Sequence, residues 1–251
     1  MKVLNYDNVE LKVFETREEM GVVAAREAIE CIKELLAKKD EINCIFAAAP
    51  SQNDFLNSLI TSNEVEWKRI NAFHMDEYIG FEIGDSRSFT GFLNEKIFER
   101  VPFKSVNLLN GMANPSEECE RYSKLLKEKD IDIVFMGIGE NGHIAFNDPS
   151  VADFNDTEVV KVVELEESCR IQQVNDGCFP TMDDVPKKAL TLTIPTLINC
   201  EAIFCIVPTI NKAAAVEAAL KGDISEKCPA SILRTVKNVR MYIDGPCASR
   251  L

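Results

Sequence analysis

Short apolar, β-rich runs alternate with longer helical stretches along the whole chain, and this alternation constrains the fold more than any other feature. Val9 to Phe14, Ile42 to Ala49, Arg69 to Met75 and Ile131 to Met136 read as strands, the last of them the most buried in character. Val106 to Leu109, Thr157 to Val163, Ala189 to Ile194, Ala202 to Val207 and Val239 to Ile243 follow in the same manner. Between them, Thr16-Arg17-Glu18-Glu19 reads as a capping box, after which Met20, Val23, Ala24, Ile32, Leu35 and Leu36 supply an apolar helix face. Pro50 to Asn53 ends a strand and opens a helix through Leu59, Ser86 to Phe98 is amphipathic, and Asn211 to Lys221 is helical. Pro115-Ser116-Glu117-Glu118 starts another helix, with proline in the first turn and acids at the positive end of the dipole. The pattern predicts an α/β fold: a single Rossmann-like domain over residues 1–251, with a mainly parallel central sheet flanked by helices. Glu164 to Pro186 is the most polar and irregular stretch, hence a candidate lid at 164–186.

The charge balance narrows the partners. With 41 acidic against 28 basic residues the net charge is −13, which argues against a general nucleic-acid surface. An anionic ligand would have to be held locally, by backbone donors and one or two basic side chains, against a repelling overall field. No apolar run approaches the roughly 20 residues of a membrane span. Met1 to Asp7 does not read as a signal peptide, so a cytoplasmic location is expected. The nine cysteines are scattered, odd in number and without a CxxC, which speaks for reduced small hydrophobes rather than a disulfide framework. Only His74 and His143 are present, so no zinc cluster is expected.

Open α/β sheets bind ligands beyond the carboxyl ends of their strands. Three segments there carry polar or glycine-rich chemistry: Ala49 to Asn53, His74 to Glu77, and Gly137 to His143. Taken alone, Asp76 fits a turn cap as well as a catalyst, and His143 fits a satisfied loop histidine equally well. Gly137-Ile138-Gly139-Glu140-Asn141-Gly142 matches the dinucleotide fingerprint literally. The residues after it leave little room for the long helix that motif requires, so no nicotinamide cofactor is expected.

Three segments stand out together: Phe73-His74-Met75-Asp76-Glu77-Tyr78-Ile79-Gly80, Asn107-Leu108-Leu109-Asn110-Gly111, and the run from Met136 to Pro149 that contains Asn141-Gly142-His143. In order and spacing they resemble the glucosamine-6-phosphate deaminase family, whose relatives include 6-phosphogluconolactonases. The resemblance implies a Rossmann-like fold, a phosphorylated amino sugar as substrate, and chemistry without a metal or nucleotide cofactor. Asp76 matches the family aspartate that moves a proton between C2 and C1 of the opened sugar. His143 matches the residue that assists ring opening. Asp148 stands where the family usually has a glutamate supporting that histidine. Asn141 stands where many members have an aspartate; the Asn-Gly-His form is similar to relatives assigned to galactosamine 6-phosphate.

For the phosphate, the family's Thr-Gly-Gly-Thr-like loop is replaced by Ser51-Gln52-Asn53-Asp54. The resemblance leaves Ser51 and the amides near Gln52 and Asn53 to cradle the anion, with Asp54 opposing it if turned inward. Gly139 joins them as a candidate substrate-binding position, and Lys212 matches the family phosphate lysine. The family's phosphate arginine has no counterpart around Asn175 to Cys178, and its role does not carry over to nearby Arg170. Basic residues of an activator site in some hexameric members stand where this chain has Glu158 and Val160, so activation by a phosphorylated sugar is not expected. A 6-phosphogluconolactonase-like hydrolase and a non-enzymatic sugar-phosphate sensor are the alternatives. A homo-oligomer is compatible with either, and neither nucleic acid nor membrane is an expected partner.

Overall fold

The computed structural model describes residues 1–251. The chain begins with β1 (Lys2–Tyr6), β2 (Val9–Phe14), α1 (Arg17–Leu36), β3 (Ile42–Phe46) and α2 (Asn53–Ile60). Next come β4 (Ile70–His74), β5 (Asp76–Tyr78), α3 (Phe89–Leu93), β6 (Ser105–Asn107), α4 (Pro115–Lys127) and β7 (Ile133–Met136). The remainder is β8 (Val160–Glu164), α5 (Glu167–Asn175), β9 (Lys188–Leu192), α6 (Ile194–Ile198), β10 (Ala202–Val207), α7 (Ala213–Lys221) and β11 (Val239–Asp244).

Eight strands form the central sheet in the order β1-β2-β11-β10-β7-β3-β4-β6. Every neighbouring pair is parallel except β1–β2. Side chains alternate across a strand, so a strand covered on both faces needs apolar residues at successive positions. β7 shows this directly. Ile133 and Phe135 pack on one face with Met20 of α1 and Phe55 of α2, while Val134 and Met136 pack on the other with Tyr122 of α4 and Val216 of α7. Thr16 caps α1 as expected, its Oγ accepting the Glu19 N–H at 3.1 Å.

The structure corrects the sequence reading at four places. Not all strands join one sheet: β5, β9 and β8 form a separate three-stranded antiparallel sheet. The run from Arg69 breaks after His74, because Asp76 pairs with Thr191 of β9 instead of continuing alongside β3. β3 stops at Phe46, leaving Ala47 to Ala49 as loop. β1 is an added strand whose residues are mostly exposed, so no apolar run announces it. The Gly137 to His143 loop leads into no helix before β8.

Candidate active site

The neighbouring strands β10, β7, β3 and β4 open at their carboxyl ends onto one cavity, lined by Ser51, Asp76, Gly139, His143 and Lys212 among others. The chain builds outward to β4 on one side of β3 and places β7 on the other, which is the switch point where such sheets bind ligands. A roomier cavity of about 460 Å³ lies at the opposite end of the sheet, among Lys39, Asp130 and Glu201. Its Lys39 is committed to Asp132 and Glu201, and burial pushes its Cys200 thiol up to about 12.

Asp76 is 6% exposed. Burial first, and the neighbouring Glu77 charge second, push its carboxyl well above the ordinary carboxylate range, with no hydrogen bond acting the other way. Its backbone is held by a buried network. His74 Nε2 accepts the Leu109 N–H at 2.8 Å, so the ring proton sits on Nδ1 and is donated to the Asp76 carbonyl at 3.0 Å. Burial lowers the His74 imidazole to about 4, which keeps it in that neutral form. The Tyr122 hydroxyl accepts the His74 N–H and has one proton to share between the His74 and Asn107 carbonyls, each 3.0 Å away. Glu77 accepts the amides of Tyr78, Phe89 and Thr90 at 2.8, 3.0 and 2.8 Å, pinning the start of α3, and with it Phe89, against the cavity. Neither His74 nor Glu77 was a candidate from sequence, although both lie in the motif around Asp76.

His143 sits on a tight loop. Gly142 takes a φ of +86° and donates its N–H to the Gly139 carbonyl, while the Gly139 N–H donates to the His143 carbonyl. The imidazole lies directly over Gly139, where an added Cβ would stand 2.1 Å from Cε1. Nδ1 is 2.8 Å from Asn141 Oδ1 and 3.0 Å from Asp148 Oδ1. Both oxygens accept, so Nδ1 carries the proton and Nε2 is left for a ligand. Asp148 therefore reaches the ring despite its short side chain. Asn141 Nδ2 donates to Asp148 Oδ1 at 2.9 Å, which bridges the two groups that flank the imidazole. Burial works to raise the Asp148 carboxyl, but hydrogen bonds from His143, Asn141 and the Glu166 amide outweigh it and leave it lowered.

Donor atoms of His143, Asp148 and Cys169 lie within 4.8 Å of one another, a spacing that could hold a metal ion. Burial, followed by the charges of Asp148 and Asp76, drives the Cys169 thiol far above its usual range. Asp148 Oδ1 is already engaged by His143 Nδ1 and Asn141 Nδ2, so these side chains are joined by hydrogen bonds.

Lys212 is 5% exposed and its Nζ has no hydrogen-bond partner. Burial lowers its pKa, opposed by Asp176 and Glu140. A buried, unpaired donor group facing a cavity is suited to an anion. Ser51 Oγ accepts from Gln52 Nε2 at 3.1 Å and keeps its own proton to donate. The expected amide cradle is corrected: the Gln52 N–H is spent on the Ala49 carbonyl and the Asn53 N–H on the Pro50 carbonyl. Pro50–Gln52 is a 3-10 turn that takes up the Gln52 and Asn53 amides, and the Gln52 side chain braces the Ile206 carbonyl at 3.2 Å. Gln52 and Asn53 do not line the cavity; Ser51 does. Asp54 turns away to pair with Arg17, a lining residue that sequence reasoning missed. Arg170 Nη2 donates to the Met182 and Val185 carbonyls, and Arg170 does not line the cavity. From the 164–186 stretch, Gln172, Gln173 and Asp176 line the cavity, and Gln172 Oε1 accepts the Glu140 N–H at 2.8 Å.

Among known proteins, the family model described as glucosamine-6-phosphate isomerases/6-phosphogluconolactonase matches residues 15–242. A glucosamine-6-phosphate deaminase of Listeria monocytogenes serotype 4a is 33% identical over 234 residues, spanning 93% of this chain and 97% of its own. One from Bacillus cytotoxicus is 37% identical over 191 residues, 76% of this chain and 71% of its own. The solved structure of a monomeric glucosamine-6-phosphate deaminase superposes with a TM-score of 0.86 at 33% identity, covering 96% of this chain and 99% of that one. The 6-phosphogluconolactonase of Trypanosoma brucei shares the fold, with a TM-score of 0.80 at 17% identity over 98% of this chain and 100% of its own.

Proposed function

The chain belongs to the family of glucosamine-6-phosphate isomerases and 6-phosphogluconolactonases, and from that premise we propose that it isomerises and deaminates a hexosamine 6-phosphate. The products are a ketohexose 6-phosphate and ammonia. His143 acts first, its Nε2 exchanging a proton between the C1 hydroxyl and the ring oxygen as the pyranose opens. Asp76 then takes the proton from C2 and returns it to C1, which converts the 2-amino aldehyde into a 2-imino sugar. Water adds at C2 and ammonia leaves. Asn141 and Asp148 orient the imidazole, and Lys212 with Ser51 receives the phosphate.

The observation that carries this reading is the Asp76 carboxyl, buried, raised in pKa and facing the same cavity as His143. A carboxyl with raised proton affinity is the better base toward a carbon-bound proton. Lactone hydrolysis needs a base for water and has no C2-to-C1 transfer for Asp76 to perform. No helix is long and apolar enough to cross a membrane, and a cytoplasmic enzyme without a nucleic-acid partner is part of the same proposal. Gluco and galacto substrates differ at one hydroxyl, and Asn141 beside His143 keeps the galacto form in the proposal.

The test is turnover by the purified protein of glucosamine 6-phosphate, galactosamine 6-phosphate and 6-phosphogluconolactone. Ammonia release from at least one amino sugar, with lactone hydrolysis far slower, is expected. Lactone hydrolysis without ammonia overturns the proposal in favour of the hydrolase, and binding without either turnover in favour of a sensor.

A further inference from the structure

We propose that Arg17, at the first turn of α1, is the second cation of the anion subsite and works with Lys212 to hold the phosphate of the substrate. This rests on the sugar-phosphate reading above and assigns a residue that lies far in sequence from the three segments that carry the family resemblance. Arg17 lines the cavity together with Pro50, Ser51, Thr209 and Lys212. Its Nε donates to Asp54 Oδ2 and its Nη2 to the Pro50 carbonyl at 2.8 Å. A guanidinium has five donors in one plane, so these two contacts fix the plane and leave the rest of the fork unspent. A side chain braced in this way loses little freedom when an anion docks.

The second observation is Lys212, whose Nζ is buried without a partner in the same cavity. Lys212 alone is a weak anion site. Asp176 lies close enough to act on its charge, Asp76 shares the cavity, and the whole chain carries a net charge of −13. A dianionic group entering this field needs a further local cation, and Arg17 is the one that faces the same space. Asp54 has a part in this arrangement too. It holds the guanidinium at the mouth of the loop after β3 and is itself kept from opposing the anion.

The experiment measures inorganic phosphate binding by calorimetry and steady-state kinetics on wild type, Arg17→Ala, Arg17→Gln and Arg17→Lys. Removing a charge-assisted fork should weaken phosphate binding by about tenfold or more and raise KM for the hexosamine 6-phosphate by a similar factor, with kcat largely kept. Arg17→Lys should recover part of the affinity, because it restores charge without the fork. That graded rescue is what a purely structural role would not produce, and thermal melts report whether each variant is folded. If Arg17→Ala fails to fold, Arg17→Lys and Arg17→Gln decide the matter. Wild-type phosphate affinity and KM in a folded Arg17→Gln variant overturn the proposal, as does a wild-type protein that binds no phosphate. A wild type that binds phosphate through Arg17 but releases no ammonia from either amino sugar overturns the functional reading and leaves this subsite standing.

Discussion

Asp76→Asn should abolish turnover and, at the same time, make the empty protein more stable. The carboxyl is 6% exposed, and burial followed by the Glu77 charge raises its proton affinity far above that of an unfolded aspartate near 3.8. The folded state therefore binds this proton more tightly than the unfolded chain. The stability it contributes is present below 3.8 and is lost as pH rises through the folded value, so the ionised form is a cost at neutral pH. Asparagine keeps the shape and removes the charge. Relief of a buried charge without hydrogen-bonded support is worth about 1–3 kcal/mol, or roughly 2–10 °C in Tm for a chain of this size. Turnover should fall by roughly 10²–10⁴, the usual loss for a missing acid or base. Paired melts at pH 5 and pH 8 test the first half, and ammonia release tests the second. A variant that is less stable than wild type at both pH values refutes the electrostatic argument, and near-normal ammonia release refutes the catalytic one.

Lys212→Ala should raise KM more than it lowers kcat, since phosphate lies away from the reacting carbons; unchanged saturation kinetics would remove Lys212 from the site. Gly139→Ala places a Cβ 2.1 Å from the His143 ring, so it should displace the imidazole and remove activity while the fold persists by circular dichroism; retained kcat would contradict that packing. Burial holds His74 near 4 against an ordinary 6.5, so its contribution is complete above pH 6.5 and is lost as pH falls toward 4, about 3 kcal/mol in all. Urea melts of wild type and His74→Gln across that range check it, and a wild-type loss no steeper than the variant's would count against it. N-acetylglucosamine 6-phosphate should not activate the enzyme, because Val160 is buried in β8 and Glu158 is exposed and acidic; a strong leftward shift of the saturation curve mapped to Glu158 would contradict this.

What could be read from the chain depended on whether the cause was local. β10 coincides with its apolar run, Ala202 to Val207, because a central strand with two covered faces has to be apolar throughout. Thr16 as a cap was legible for a similar reason, since donor and acceptor are three residues apart. β1 was not, because an exposed edge strand has no apolar signature. The small sheet was missed because Asp76 finds its partner at Thr191, a pairing that sequence spacing does not encode. At the site, Asp76, Asn141, His143 and Asp148 lie in short motifs, which is why the sequence offers them as candidates. Arg17 and Asp54 meet across 37 positions of sequence, and nothing near either residue foretells the contact. The amide cradle expected at Gln52 and Asn53 failed because a 3-10 turn after Pro50 uses those donors itself.

The central claim is that this protein moves a proton from C2 to C1 and then releases the amine. The most direct measurement uses hexosamine 6-phosphates deuterated at C2, followed for ammonia and, by NMR, for the fate of the label. The account predicts slower ammonia release from the deuterated substrate, with deuterium leaving C2 and appearing at C1 of the ketohexose 6-phosphate or in water. Deuterium remaining on C2 of unconverted amino sugar, with 6-phosphogluconolactone hydrolysed by the same preparation, would contradict it.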